Sequence, residues 1–165
     1  DLNREIIEID LSSFVGFFLS KRAIEIVGFP NKNFFIHYDD VDYSFRIRKF
    51  GKILLVTNSL IKHKDEFKKI LKNKKILLIK SSQTIPYSSL WIRYYSVRNL
   101  IYLKKEYASL FVAVIVGLRI LSRLCCGIIL RDDRKYRRIK FYFSAIIDGI
   151  LGIFDNDKPK KILYE

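Results

Sequence analysis

The sequence predicts an α/β fold for the first third of the chain and amphipathic helices for most of the rest. In the first third, short apolar runs alternate with segments of helical spacing, and two of those segments stop at Gly28 and Gly51. Further along, a nearly continuous apolar run over 107–130 is interrupted by Arg119 and Arg123. Together these observations predict a small mixed unit followed by a helical region.

The elements of the first part follow from periodicity and from the residues that end each segment. Alternation of apolar and charged residues predicts a strand, helical spacing predicts a helix, and glycine supplies the left-handed residue that ends a helix at low cost. The predicted order is a strand over 5–10, a strand or turn over 14–19, a helix over 21–27, a short buried strand over 34–36, a helix over 40–50, and strands over 53–56 and 60–61.

The rest of the chain is predicted to be a connector followed by helices. Residues 62–80 are rich in lysine and 81–89 contain Pro86, which favours a solvated connector and a loop. Helical patterns follow over 90–107, over the apolar run and over 141–154. The predicted domains are accordingly 1–66 for the mixed unit, 67–89 for the connector and 90–165 for the helical region.

The apolar run over 107–130 is long enough to cross a bilayer, but its two arginines oppose that interpretation. Each arginine near the midplane costs about 2.5–3.5 kcal/mol on insertion scales. Being four positions apart, Arg119 and Arg123 share one helix face, as on a helix that lies in the membrane surface. We therefore prefer a surface-bound helix to a spanning one.

The charge distribution points to an anionic partner. The net charge is +14, and residues 61–165 contain 23 Lys/Arg against nine Asp/Glu, whereas residues 1–60 contain eight of each. Such clustering attracts phosphates of nucleic acid or of lipid, and the apolar content favours lipid. A solvated face between two core helices is the alternative for the basic block over 131–140. The residues predicted to face anionic lipid are Arg119, Arg123, Arg131, Arg134, Lys135, Arg137, Arg138 and Lys140.

Two features of composition add expectations about context. The chain contains no methionine and opens with Asp1, so we expect it to be a piece of a longer protein. Its two cysteines, Cys125 and Cys126, are adjacent in an apolar run, a spacing that suits neither a disulfide framework nor a zinc site. Reduced cysteines are typical of a cytosolic chain, which predicts a peripheral location on the cytoplasmic face of the cell membrane.

The densest cluster of chemistry-bearing residues is acidic. Asp39, Asp40 and Asp42 follow directly after an apolar, aromatic run. In one interpretation, Asp39 caps a helix, the other two complement its dipole, and Asp42 pairs with Arg46. In the other, crowding beside apolar surface raises the pKa of a carboxylate, which can then take a proton from a substrate hydroxyl. The two interpretations are compatible.

These segments, taken in order, resemble the distal half of the GT-A domain of family 2 glycosyltransferases, most closely the rhamnosyltransferase and galactofuranosyltransferase-like branch. The likeness covers about residues 10–105, and its specificity comes from the combination of segments. The segments that carry it are 13–19, 27–30, 34–46, Gly51, His63 and 94–100. The resemblance implies an inverting transfer of sugar from a nucleotide-sugar donor to a glycan or lipid-linked acceptor in cell-surface polysaccharide synthesis.

The resemblance also implies roles for individual residues. Asp40 matches the general base and Asp39 a residue that orients the acceptor or supports the base. His63 matches a ligand of a divalent metal, Mg²⁺ or Mn²⁺, on the donor diphosphate. Gly16, His37 and Tyr38 would shape the acceptor pocket, and Asp42 and Arg46 would support the helix. The donor-binding half of the domain would lie outside this sequence, so the piece alone is expected to be inactive.

Two other functions stay open. A non-catalytic module that grips nucleic acid accounts for the basic charge but not for the apolar run over 107–130 or the acidic cluster. A structural peripheral membrane protein without chemistry accounts for the charge and the apolar run. The leading prediction has no nucleic acid among its partners, which are the sugar donor, the acceptor and anionic lipid.

Overall fold

A computed structural model describes residues 5–63, 87–131 and 134–165, without the side chains of 124–127 and 129–131. The chain divides into two compact units, Asp1–Lys64 and Asp65–Glu165, here called the first and second unit. The described residues are mostly helical and include one two-stranded sheet. The structure therefore has the predicted order, in which a part with both strands and helices is followed by a helical part. The predicted connector over 67–89 lies almost entirely outside the described residues.

The first unit packs two helices against a small antiparallel sheet. Strand β1 is Ile6–Ile9 and strand β2 is Ile53–Val56, with Ile6 opposite Val56 and Ile9 opposite Ile53. Between them lie helices α1, Lys21–Val27, and α2, Asp39–Arg48. The core of the unit is formed by Tyr43, Ile47 and Ile53, with Ile9, Phe17, Leu19 and Val27 packed around them.

Helix α1 occupies the residues that the sequence predicts. The Ser20 hydroxyl accepts the Ala23 amide at 3.1 Å and caps its N-terminus, and Gly28, at φ 75°, ends it. Both signals are local, which explains why the bounds of this helix could be predicted.

The second unit is a helical bundle. Helices α3, Trp91–Tyr107, α4, Leu110–Arg131, and α5, Lys135–Leu151, pack on one another, and the short α6, Lys158–Tyr164, packs against α3 and α5. Within the described part of the chain, no helix has the length and apolar character needed to cross a membrane. The fully buried side chains of the second unit include Leu90, Tyr94, Ile101, Ala113, Phe141, Ala145 and Leu163.

A glycine sets how closely α3 and α5 approach. A Cβ at Gly149 would lie 2.5 Å from the Arg98 carbonyl oxygen and 2.8 Å from Cβ of Ile101. Any side chain there would force the helices apart, so the glycine is required by packing.

Several predicted elements are wrong in type or extent. Residues Lys32–Phe34 form a 3₁₀ turn instead of a strand over 34–36, because the Asn31 side chain accepts the Asn33 amide at 3.1 Å and Phe35 has a φ of 63°. Residues 60–61 are not a strand, and α5 ends at Leu151 because Gly152 adopts a left-handed conformation. Helix α6 is not predicted from the sequence. Parallel strands of a GT-A domain are not among the described elements.

Candidate functional site

The acidic cluster lies in the first turn of α2. Asp39 and Asp40 are its first two residues, and both are half-buried. The prediction that Asp39 caps this helix is wrong, because Tyr38 occupies the cap position and makes no side-chain capping hydrogen bond. Oδ1 of Asp40 instead accepts the Val41 amide at 2.8 Å, which satisfies one of the free amides of the first turn. The first-turn carboxylates also complement the positive end of the helix dipole.

The backbone that leads into α2 is strained. Phe35, His37 and Tyr38 have φ values of 63°, 66° and 65°, a region that residues with a Cβ seldom enter. Residues held in such conformations cost about 1–3 kcal/mol each and cluster at functional sites. Three of them stand within four positions, directly before the aspartate pair.

Contacts from α2 to the loop after α1 hold the acidic turn in place. Nε of Arg46 donates to Oδ2 of Asp42 at 3.1 Å, and its other two nitrogens donate to the carbonyl oxygens of Val27 and Phe29, each at 3.0 Å. The Tyr43 hydroxyl donates to the Gly28 carbonyl oxygen at 2.7 Å. The predicted pair of Asp42 and Arg46 therefore forms, and Arg46 also ties α2 to Val27 and Phe29.

A second link ties the acidic turn to the loop after β1. The buried Ser44 hydroxyl donates to the Asp40 carbonyl oxygen at 2.8 Å and accepts the Ser12 amide at 3.2 Å. With the contacts of Arg46, this fixes the backbone that carries Asp40. Among the described residues, no hydrogen bond or ion pair reaches the Asp39 carboxylate or Oδ2 of Asp40.

A cavity of about 510 Å³ lies in the first unit. Of the residues predicted to shape the acceptor pocket, Gly16 lines it, whereas His37 and Tyr38 do not. The Asp40 side chain is not part of its wall either. Its described lining is largely apolar and includes one charged residue, Lys52, whose ammonium donates to Glu8 at 2.7 Å. Other lining residues include Ile9, Ser12, Phe17, Leu19, Ile53 and Ile61.

His63, predicted to bind a metal, is exposed. Within 5–63, 87–131 and 134–165, no group of three or more His, Cys, Asp or Glu side chains assembles that could hold a metal ion. One imidazole does not by itself make a divalent-metal site, so no step below depends on a metal.

The second unit contains a buried polar network that sequence patterns did not reveal. Asp148, 1% exposed, accepts the Tyr94 hydroxyl at 2.7 Å and the Lys158 ammonium at 2.6 Å. Arg98, fully buried, donates to Asn99 at 2.9 Å and to Oδ1 of Asn156 at 3.1 Å. The network joins α3 to α5 and to the start of α6. Arg98 and Asn99 are therefore held in the interior, where their contacts are structural.

The electrostatics of this network follow from its burial. Burial, with the hydrogen bond to Asp148, raises the pKa of the Tyr94 phenol, and burial lowers the pKa of the Arg98 guanidinium. At the start of α6, the backbone amides of Asp157 and Lys158 donate to Asp155 at 2.9 and 3.1 Å and lower the pKa of its carboxyl. No signal in the local sequence pairs α3 with α5, since their contacts are about fifty positions apart.

The residues predicted to face lipid divide into three groups. Arg138 is an error in that set, because it is 6% exposed and its guanidinium lies 5.4 Å from the centre of the Tyr87 ring. The Arg131 side chain lies outside the described residues. Arg134, Lys135 and Arg137 are exposed and, with Tyr136, line an open cavity of about 670 Å³. The other exposed members are Arg119, Arg123 and Lys140.

Comparison of the chain with protein-family models, with curated proteins and with solved structures found no match. The function must therefore be argued from the residues themselves.

Proposed function

We propose that the chain is the acceptor-side part of an inverting glycosyltransferase of the GT-A type, which transfers a sugar from a nucleotide-sugar donor to a glycan or lipid-linked acceptor. The proposal rests on the sequence resemblance and on one structural observation. That observation is the strained backbone directly before Asp39 and Asp40. Strain persists only where the surrounding structure enforces it, and contacts of Arg46 and Ser44 hold helix α2, which begins directly after the strained residues.

In the proposed reaction, Asp40 is the general base. One oxygen of its carboxylate is used by the Val41 amide, which leaves Oδ2 to take the proton of the acceptor hydroxyl. The acceptor oxygen bonds to the anomeric carbon as the bond from that carbon to the diphosphate oxygen breaks. The nucleoside diphosphate leaves with the bonding electron pair, and the configuration of the sugar inverts. Asp39 orients the acceptor.

A lipid-linked acceptor is favoured by the second unit, which exposes basic side chains suited to anionic headgroups. The proposed location is therefore the cytoplasmic face of the cell membrane, with peripheral attachment. In this proposal, His63 is one ligand of a divalent metal, and the other ligands come from outside the described residues.

The test is a transfer assay with the natural, full-length protein. Nucleotide sugars labelled in the sugar are supplied one at a time with membrane glycolipid as acceptor, and the anomeric configuration of the product is determined. The expected result is transfer from one donor with inversion, and no transfer by a variant that carries both Asp39→Asn and Asp40→Asn. Retention of configuration, or equal transfer by that variant, would contradict the proposal.

The alternative is a non-catalytic basic module, and the exposed arginines of the second unit favour it. It predicts that no nucleotide sugar binds the full-length protein and that substitution of Asp39 or Asp40 changes only stability. Donor binding measured by calorimetry therefore separates the two functions.

A further inference from the structure

The outer face of α4 is apolar and exposed. Phe111 is 73% and Leu118 62% exposed, and Val114 and Ile115 are exposed beside them. On a helix that turns about 100° per residue, these four positions fall within about 100° of one another. They form a continuous stripe, here called the α4 stripe.

The opposite face of α4 holds the helix in the bundle. Ala113 is fully buried, and a Cβ at Gly117 would lie 2.8 Å from the Ile146 side chain of α5. Val116 and Ile120 pack against the same core. The helix is thus oriented by one face, and within the described residues the α4 stripe is left without a covering element.

Cations border the α4 stripe along one side. Arg119 and Arg123 are exposed and lie on the row of the helix next to Ile115. Residues 110–131 contain no Asp or Glu, so no acidic side chain of α4 offsets these charges. An occupant of this face must therefore offer both an apolar phase and negative charge.

We propose that the α4 stripe inserts into the interface of an anionic bilayer, with Phe111 and Leu118 among the acyl chains and Arg119 and Arg123 on lipid phosphates. A second copy of the chain would bring the same arginines together, and nucleic acid would leave the apolar side chains in water. An anionic lipid surface complements both features. The insertion does not depend on sugar-transfer chemistry.

Vesicle flotation of the full chain tests the apolar part. Vesicles of phosphatidylcholine with an equal share of phosphatidylglycerol are compared with vesicles of phosphatidylcholine alone. The variant Phe111→Ser/Leu118→Ser should partition about tenfold more weakly, or worse, to the anionic vesicles. The matched control is Phe29→Ser, since Phe29 is 79% exposed but lies in the first unit. It should bind like the unmodified chain.

Charge reversal tests the electrostatic part. Arg119→Glu/Arg123→Glu should release the chain from anionic vesicles. The control is Arg22→Glu/Lys32→Glu, which changes the charge by the same amount at exposed sites of the first unit. The control should bind much more tightly than Arg119→Glu/Arg123→Glu. Insertion is read separately with Phe111→Trp and Phe29→Trp. Lipids brominated in their acyl chains should quench added fluorescence only in the Phe111→Trp protein.

Four results would overturn the proposal: equal partitioning of Phe111→Ser/Leu118→Ser and the unmodified chain, absence of quenching at position 111, tighter binding to an oligonucleotide than to anionic vesicles, or a dimer that these substitutions dissociate without any change in vesicle binding. Failure of sugar transfer leaves all of these readouts unaffected, so the two proposals fail separately.

Discussion

Replacing Asp148 by alanine should destabilise the second unit by about 2–4 kcal/mol. The carboxylate is buried and joins α3 to α6 through Tyr94 and Lys158. Its removal leaves the ammonium of Lys158 without its counter-ion and deprives the Tyr94 hydroxyl of its shortest hydrogen bond.

The magnitude follows from these two contacts. A hydrogen bond to a charged group contributes about 1.5–3 kcal/mol, and the Tyr94 hydroxyl retains Ser144 as a neighbour at 3.1 Å. Loss of one partner of a fully buried ion pair costs about 3–5 kcal/mol. The Lys158 side chain is 33% exposed and can turn toward water, so its share is smaller than that range.

The assay is urea unfolding followed by far-UV circular dichroism on the unmodified chain, Asp148→Ala, Asp148→Asn and Asp157→Ala. Asparagine keeps an acceptor for Tyr94 and should give an intermediate loss. Asp157 is exposed and makes no side-chain cap of α6, so its substitution should change the free energy of unfolding by less than about 0.5 kcal/mol. If Asp148→Ala falls within the range of Asp157→Ala, the buried network does not stabilise the bundle as argued.

Three further substitutions test packing and strain by the same unfolding assay. Gly149→Ala should lower the free energy of unfolding by about 1–3 kcal/mol because its Cβ would meet the Arg98 carbonyl oxygen. The control Gly51→Ala, with open space around it, should change that free energy by less than about 1 kcal/mol. Equal effects would refute the close approach of α3 and α5. Arg46→Lys should cost about 1–2 kcal/mol, since one ammonium cannot replace a guanidinium that reaches a carboxylate and two backbone carbonyls; an unchanged midpoint would show that these contacts do not hold α2. Tyr38→Gly should stabilise the first unit by about 0.5–1 kcal/mol by relieving the left-handed backbone while it lowers sugar transfer by the full-length protein; a loss of stability would show that the backbone there is not strained.

The parts of the fold that the sequence predicts correctly depend on local signals. Helix α1 ends at Gly28 and strand β2 covers its predicted residues, because a glycine cap and a short apolar run each depend on only a few neighbouring residues. The predicted strand over 34–36 is absent because one asparagine side chain, which an apolar pattern does not reveal, bends the backbone into a turn over Lys32–Phe34. Phe34 is nevertheless buried, as predicted.

The parts that the sequence could not predict depend on contacts distant in the chain. Arg98 and Asp148 belong to one network only because α3 and α5 pack together, and α6 is held by the burial of Leu163 and Pro159. The same holds for Arg138, whose partner Tyr87 is about fifty positions away. At the candidate site, spacing predicted the pair of Asp42 and Arg46, but the strained backbone before Asp39 has no sequence signature.

The central claim is that Asp40 removes the proton of the acceptor hydroxyl. The most direct measurement is kcat for sugar transfer by the full-length protein, compared between the unmodified form, Asp40→Asn and the control Asp10→Asn, with donor affinity measured on each. The account predicts a fall of about 10²–10⁴-fold in kcat for Asp40→Asn with donor affinity unchanged, and near-normal transfer for Asp10→Asn. Normal kcat for Asp40→Asn would contradict it.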